Sequence, residues 1–267
     1  MSQLALAPNA EDALKAKTAK AFEDAIRRRI PRWPTPEEQA HRDAIEARNE
    51  LHRKEFRAIA SRAALATSLG QRYSIDRVAL ENYKVYDPRQ GPALERIRRI
   101  GATIKEFVEE GRNLGLFGTV GTGKDHLLAY LLYQAAAAGF VCRYVNGQEL
   151  FSRFRGTMGD GALETERTLL KEFSSPTVVA ISDPLPPAGK LSDWNRQVLY
   201  RLLEARYRAR QPTWITANIT SESNADESFT EAVWDRLQDD AELFFCDWPS
   251  FREKASKEGT QRLTVCA

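Results

Sequence analysis

Gly118, Thr119, Val120, Gly121, Thr122, Gly123 and Lys124 spell G-x-x-x-x-G-K directly after the apolar run 114–117. Glycines at this spacing let backbone N–H groups turn inward around a polyphosphate. The lysine reaches the β and γ phosphates, and a helix beginning near Lys124 aims the positive end of its dipole at the same charge. Leu127, Leu128, Leu131 and Leu132 follow with helical spacing, so the strand–loop–helix context that the chemistry needs is present. A glycine-rich turn with no ligand is the plain alternative, and that context weighs against it. The motif usually continues with Ser or Thr, whose hydroxyl ligates Mg²⁺; this chain has Asp125 and then His126. An acid at a helix N-terminus is favoured by the dipole alone. Beside phosphates it adds negative charge to negative charge unless a metal lies between them, and Asp is itself a Mg²⁺ ligand.

Hydrolysis of a bound triphosphate needs a second strand ending in carboxylates, one on the metal side and one to position the attacking water. Residues 178–183, Val-Val-Ala-Ile-Ser-Asp, are the candidate, and only one acid closes them. In one register Ser182 stands on the metal side and Asp183 at the water. Shifted by one, Asp183 takes the metal side and Pro184 falls in the catalytic slot. Capping the strand before the loop 184–189 is the structural alternative for Asp183. Thr216-Ala217-Asn218 ends the next strand, where Asn218 could hold a water between the γ-phosphate and Asp183, or simply turn the chain. Arg236, in Trp234-Asp235-Arg236-Leu237, and Arg252, in Ser250-Phe251-Arg252, each read singly as surface ion-pair residues.

The elements that must position these side chains show in the pattern of apolar residues. After residue 90 short apolar runs alternate with amphipathic stretches, which implies a parallel sheet with helical crossovers. Strands are expected over 114–117, 141–145, 177–181, 213–217 and 242–246. Helices are expected over 92–110, 124–138, 147–155, 163–173, 192–210 and 229–238, with a last short one near Ser250. The first 70 residues differ in kind, with charged, Ala-rich helices over 10–30 and 36–69 joined by Pro31-Arg32-Trp33-Pro34. Thr35, Pro36 and Glu38 form an N-cap, a first-turn proline and a capping-box acid, and Gly70 supplies a stop. Ala40, Ala44, Ala47, Leu51, Ala58 and Ile59 make only a thin apolar stripe, as on a helix that packs against a partner or its own domain. The reading is an α/β P-loop domain over 76–267, its parallel sheet flanked by helices, preceded by a small all-helical arm over 1–75.

With 267 residues, 42% apolar and 28% charged, the chain can bury a full core in one large domain beside a smaller one. A net charge of +2 says little about nucleic acid. The distribution says more: Arg27, Arg28, Arg29 and Arg32 beside Trp33; Arg96, Arg98 and Arg99; Arg153 and Arg155 around Phe154; and Arg201, Arg206, Arg208 and Arg210 along a later helix. Such clusters are solvated faces or phosphate-contacting surfaces. Cys142, Cys246 and Cys266 share no metal spacing and suit reduced thiols; His41, His52 and His126 form no ligand cluster. The stretch 4–7 is too short for a signal peptide and no run approaches a membrane span, so a cytoplasmic protein with no membrane partner is expected.

Taken together, these motifs resemble the DnaC/IstB branch of AAA+ ATPases, most of all its bacterial and phage DnaC-type helicase loaders. Residues 80–85, Leu-Glu-Asn-Tyr-Lys-Val, resemble the family's entry segment near the nucleotide base. Gly121 to Lys124 with His126 and Leu127 resemble its phosphate loop, and residues 212–218 its sensor-1 strand. Trp234 to Leu237, Phe244 to Trp248 and Ser250 to Arg252 resemble the arginine-finger helix, the final strand and the sensor-2 arginine. The resemblance implies ATP with Mg²⁺, Tyr83 beside the base, Lys124 on the phosphates, Asp125 and Asp183 at the metal, and Asn218 and Arg252 as sensors. It makes Arg236 a finger reaching a neighbouring subunit's nucleotide, so that copies self-assemble side by side on single-stranded DNA near Arg153, Phe154 and Arg155. An aromatic ring between two arginines suits base stacking with phosphate contact. The helical arm would bind a hexameric replicative helicase. Asp125 and Ser182 depart from the family pattern at the two metal-side positions, which touches hydrolysis more than binding and implies weak or conditional ATPase activity. Other readings are a hydrolysis-dead ATP-binding adaptor, an IstB-type transposase partner acting on duplex DNA, and a small-molecule kinase. Arg236 and Arg252 count against the last.

Overall fold

The computed structural model describes residues 10–29, 33–159, 161–186 and 189–252, and the chain divides into two compact units, Met1–His52 and Arg53–Ala267. The first holds α1 (Ala10–Arg29) and the start of α2 (Pro36–Leu69), and the division falls inside α2. The expected capping box is formed: the Thr35 backbone N–H donates to Glu38 Oε2 at 2.8 Å, and the Glu38 N–H donates to Thr35 Oγ1 at 3.2 Å. Leu14, Phe22, Trp33 and Leu51 are all exposed. The side chains of Arg27, Arg28 and Arg29, all of Arg32, and Cys266 lie outside the described residues.

In the second unit, the C-terminal part of α2 leads through a 3₁₀ turn, Gln71–Tyr73, to α3 (Ile75–Val78) and a second turn, Leu80–Asn82. Then come α4 (Gln90–Ala102), α5 (Ile104–Glu109), β1 (Asn113–Gly118), α6 (Lys124–Ala137), β2 (Cys142–Asn146), α7 (Gly147–Gly156) and α8 (Glu166–Ser174). The chain continues with β3 (Val178–Ser182), α9 (Asp193–Arg208), β4 (Thr213–Ala217), α10 (Glu222–Phe229), α11 (Glu231–Gln238) and β5 (Ala241–Cys246). The five strands form one sheet in the order β2-β3-β4-β1-β5, every pairing parallel. Central strands of such a sheet are covered on both faces, and every residue of β3 and β4 is buried.

Alternation along the strands sorts the core into two layers. Leu114, Leu116, Val178, Ala180 and Trp214 share one face with α6 and with Leu65 and Leu69 of α2. Phe117, Val179, Ile181, Ile215 and Ala217 face the other layer with residues of α7 to α11. Ser182 and Thr216 are paired across β3 and β4. By the same alternation they project to the α6 side, a placement on which the site depends. The α2 end is stitched to this layer by Ser61 Oγ, which donates to Phe140 O at 2.9 Å and accepts from the Cys142 N–H at 3.2 Å.

The structure departs from the sequence expectations at several elements, α3 and its flanking 3₁₀ turns among them. The helix expected over 92–110 is two, broken at Thr103. The helix expected from residue 163 starts at Glu166, where Thr165 Oγ1 accepts from the Thr168 N–H at 3.2 Å, and Leu163 is fully exposed. α10 was not anticipated, because Ser, Asn and Asp compete with their own backbone in a helix; burial of Ala225 and Phe229 holds it instead. Cys142 and Cys246 are free and buried, and burial pushes both thiols up to about 12.

Among the basic clusters, Arg96 pairs with Glu242 at 2.8 Å, Arg98 with Glu95 at 2.7 Å and Arg208 with Glu204 at 2.8 Å. Arg206 is neither a solvated nor a phosphate-contacting residue: it is fully buried. Its guanidinium donates to the carbonyls of Phe173, Pro176, Thr177 and Pro212 and to Thr213 Oγ1, at 2.6–3.1 Å. It thereby ties the ends of α8 and α9 to the starts of β3 and β4. Arg206→Leu should destabilise the fold by about 3 kcal/mol or more, because each buried carbonyl left without a donor costs roughly 1–3 kcal/mol. Urea unfolding monitored by circular dichroism checks this, and a loss below about 1 kcal/mol would show that the carbonyls find other partners.

Candidate nucleotide-binding site

A cavity of about 510 Å³ opens beyond the C-terminal ends of β1, β3 and β4, where open α/β sheets bind their ligands. It is lined by the loop 120–124, by Asp125, His126, Asp183, Thr216 and Asn218, by Tyr73, Tyr83 and Lys84 on the entry side, and by Phe251 and Arg252. The expected strand, loop and helix are all present, and α6 begins at Lys124 with Gly123 before it at φ +90°. A side chain at Gly123 would lie 2.9 Å from the Tyr83 ring, and one at Gly121, at φ +83°, would strike Ser250 Oγ. These two positions require glycine both for backbone conformation and for close approach.

Lys124 is buried and folds over its own loop. Its Nζ donates to Gly118 O at 2.9 Å, Thr119 O at 2.7 Å and Asn218 Oδ1 at 3.1 Å. Asn218 Nδ2 in turn donates to Asp183 Oδ1 at 2.9 Å. The phosphate lysine, the β4 asparagine and the β3 acid are therefore one hydrogen-bonded chain. Burial pulls the Lys124 ammonium below its ordinary value, with Asp125 and Asp183 among the charges opposing it. Burial first, and Asp125 second, hold Asp183 above the usual carboxylate range, while Lys124 and Asn218 pull it down. Asp183 sits at φ +47°, just past the strand, its N–H donating to Thr216 O at 2.9 Å.

A second cluster lies beside the first. Asp125 Oδ1 accepts from Ser182 Oγ at 2.9 Å and from Thr216 Oγ1 at 2.7 Å, and Asp125 Oδ2 accepts a long contact of 3.4 Å from the Tyr73 hydroxyl. In this arrangement Ser182 faces Asp125 and Asp183 faces Asn218. Asp125, Asp183, Ser182 and Thr216 present oxygen only, the donor type that Mg²⁺ takes. Thr216 and Tyr73 were not singled out from the sequence for this role. The parity of Thr216 with Ser182 on adjacent strands was the available signal; for Tyr73 there was none.

The entry segment closes over the loop. The Tyr83 hydroxyl donates to Thr122 O at 2.9 Å, and its ring meets His126 edge-on with centroids 5.4 Å apart. Trp248 Nε1 also donates to Thr122 O, at 2.9 Å, and the Phe251 N–H donates to Gly121 O at 3.0 Å. These bonds bring Arg252 to the cavity wall.

Arg236 is not at this cavity. Asn113 Nδ2, at the start of β1, donates to Arg236 O at 3.1 Å, whereas the phosphate loop follows the end of β1. A six-residue strand spans about 17 Å. The Arg236 guanidinium pairs with Glu204 at 3.0 Å and Asp235 at 2.6 Å and covers the Tyr207 ring at 4.8 Å.

Arg153, Phe154 and Arg155 lie on α7, away from the nucleotide cavity. Phe154 is buried in the core, so its ring offers no stacking face as packed here. Arg153 pairs with Glu164 at 2.9 Å and Glu172 at 2.7 Å. Arg155 is exposed, donates to Asn195 Oδ1 at 2.9 Å and lies 5.1 Å above the Trp194 ring. Among the described residues, no helix is long and apolar enough to cross a membrane.

Known proteins resemble this chain over most of its length. Residues 75–259 match the model of the family described as IstB-like ATP binding protein. An insertion-sequence ATP-binding protein of Sinorhizobium fredii is 27% identical over 232 residues, 85% of this chain and 75% of that protein. The replicative helicase loader DnaC of Buchnera aphidicola is 24% identical over 178 residues, 66% of this chain and 69% of that one. A solved structure of the DnaC helicase loader has the same fold, with a TM-score of 0.57 and 24% identity, covering 66% of this chain and 99% of that one.

Thr216→Val keeps the volume and removes one of the two hydroxyls donating to Asp125. The expected cost is about 1.5–3 kcal/mol, the range for a hydrogen bond to a charged group. Chemical denaturation of the ligand-free protein checks it, and a cost within about 0.5 kcal/mol would mean that Ser182 alone satisfies the carboxylate.

Proposed function

The chain belongs to the IstB-like ATP binding protein family, with a DnaC-type AAA+ fold, and on that premise we propose that it is an ATP-controlled helicase loader. Its N-terminal helices, within residues 1–75, hold a hexameric replicative helicase. Its ATP-binding domain, residues 76–267, holds single-stranded DNA, and nucleotide state sets the grip on both. The setting is cytoplasmic. Lys124 binds the β and γ phosphates, Asp125 is the carboxylate that holds Mg²⁺ directly, Asp183 sits on the outer side of the metal where it orients the attacking water, and Asn218 and Arg252 sense the γ-phosphate. Mg²⁺ would neutralise phosphate charge. Hydrolysis is weak or conditional, because a loader needs ATP and ADP as two states more than it needs turnover.

The observation that carries this reading is the separation of the two arginines. Arg252 lines its own cavity, while Arg236 lies a strand's length from its own phosphate loop. A phosphate contact by Arg236 therefore belongs to the nucleotide of a neighbouring copy, which couples ATP to self-assembly. Exposed Leu14, Phe22 and Leu51 suit docking of the arm on a partner. With Phe154 buried, the proposed strand contact on α7 falls to Arg153 and Arg155 as phosphate ligands.

A second reading, a transposase partner acting on duplex DNA, is favoured by one observation. The alignment with the Sinorhizobium fredii insertion-sequence protein covers 85% of the chain and so takes in part of the arm, which the family match from residue 75 leaves out. Binding to single- and double-stranded oligonucleotides across a salt series separates the two, with single-strand preference expected here and duplex preference supporting the second.

Lys124→Ala should weaken ATP binding at least about tenfold, the effect of losing one charge-assisted contact. Arg236→Ala should leave ATP affinity within about twofold and lower strand-stimulated hydrolysis by roughly a hundredfold or more, as loss of an arginine finger does. Undiminished turnover in Arg236→Ala would remove the trans contact. Tight ATP binding with no turnover in any condition would leave a nucleotide-binding adaptor.

A further inference from the structure

Positions 125 and 182 each lack what a phosphate-loop ATPase usually has there. In that arrangement the residue after the loop lysine is Ser or Thr, the strand residue is Asp, and the two hold Mg²⁺ together. Here the helix carries the carboxylate and the strand carries the hydroxyl, and the two are in direct contact, Ser182 Oγ donating to Asp125 Oδ1 at 2.9 Å. We infer that residues 125 and 182 are a reciprocal exchange: Asp125 supplies from α6 the carboxylate usually supplied by β3, and Ser182 supplies from β3 the hydroxyl usually supplied by the helix. The site keeps one carboxylate and one hydroxyl for the divalent cation that accompanies ATP. This rests on the ATP-binding reading above and deepens it, since two departures that singly weaken a metal site restore it jointly.

Three features of the chain support the exchange. Strand alternation puts Ser182 and Thr216 on the α6 side of the sheet, so that both hydroxyls converge on one carboxylate oxygen. Among the described residues the other oxygen, Oδ2, has only the long Tyr73 contact and keeps lone pairs for a cation. Asp125 also stands in the first turn of α6, where the helix dipole favours its charge.

The test measures ATP affinity in Mg²⁺ and in EDTA for the full chain, using a fluorescent ATP analogue. The variants are Asp125→Asn, Asp125→Ser, Ser182→Asp and Asp125→Ser/Ser182→Asp. Mg²⁺ should tighten wild-type binding by roughly tenfold, the scale on which one metal-site residue acts. That gain should vanish in Asp125→Asn and Asp125→Ser, while affinity in EDTA is no weaker than wild type, since a negative charge beside the phosphates is removed. It should return in the double variant. Ser182→Asp alone should melt at a lower temperature, because it sets two carboxylates against each other. The exchange is overturned if either Asp125 variant keeps the wild-type Mg²⁺ gain, or if wild-type binding is the same in Mg²⁺ and EDTA. It is also overturned if the double variant binds ATP normally in EDTA and shows no gain. Wild-type protein that binds no nucleotide in either buffer would overturn the ATP reading itself.

Discussion

One oxygen of the Asp125 carboxylate accepts hydrogen bonds from Ser182 and Thr216, and that contact joins the first turn of α6 to the ends of β3 and β4 at the floor of the nucleotide cavity. A half-buried carboxylate is tolerated only where donors replace the water it loses. Here the donors come from the ends of two neighbouring strands, while the carboxylate comes from the first turn of the helix that follows the phosphate loop. The contact therefore clamps helix, loop and sheet together at one point. It requires β3 and β4 to be in the register that pairs Ser182 with Thr216, because a slip of one residue would turn a hydroxyl into the opposite core layer.

Around that clamp the site separates charge by position. Lys124, Asn218 and Asp183 form a chain from the loop to the end of β3, so cation and acid are held apart by an amide that touches both. Tyr83, Trp248 and the Phe251 backbone converge on the carbonyls of Thr122 and Gly121, which makes the loop rigid from the entry side and fixes Arg252 at the cavity. The far end of the sheet is held in a different way. Arg206, buried against four carbonyls, stands where a hydrophobic residue would leave those acceptors empty. Arg236 lies on that same end, about one strand's length from the phosphate loop.

Much of this was legible in the sequence because each signal was local. The loop glycines, Lys124, the five apolar runs and the Thr35 capping box all depend on residues a few positions apart, and all lie where the pattern put them. Helix α10 escaped because packing overrides the propensity of its residues, whereas the break at Thr103 follows weak helix formers, Gly101 and Thr103, inside a pattern that otherwise reads as one helix. The partners of Asp125 come from residues 57 and 91 positions further along the chain, and periodicity does not report on such distances. The burial of Arg206 and Phe154 was hidden for a related reason. In the sequence they sit among charged neighbours, but their helices present those two positions to the core.

The proposed loader role requires nucleotide state to set the hold on single-stranded DNA. The most direct measurement is fluorescence anisotropy of a labelled single-stranded oligonucleotide titrated with the full chain, with ATP and Mg²⁺ in one series and ADP and Mg²⁺ in the other. The account predicts clearly tighter binding in ATP, with the difference abolished by Lys124→Ala. Equal affinity in the two nucleotides, or a difference that survives loss of Lys124, would contradict it.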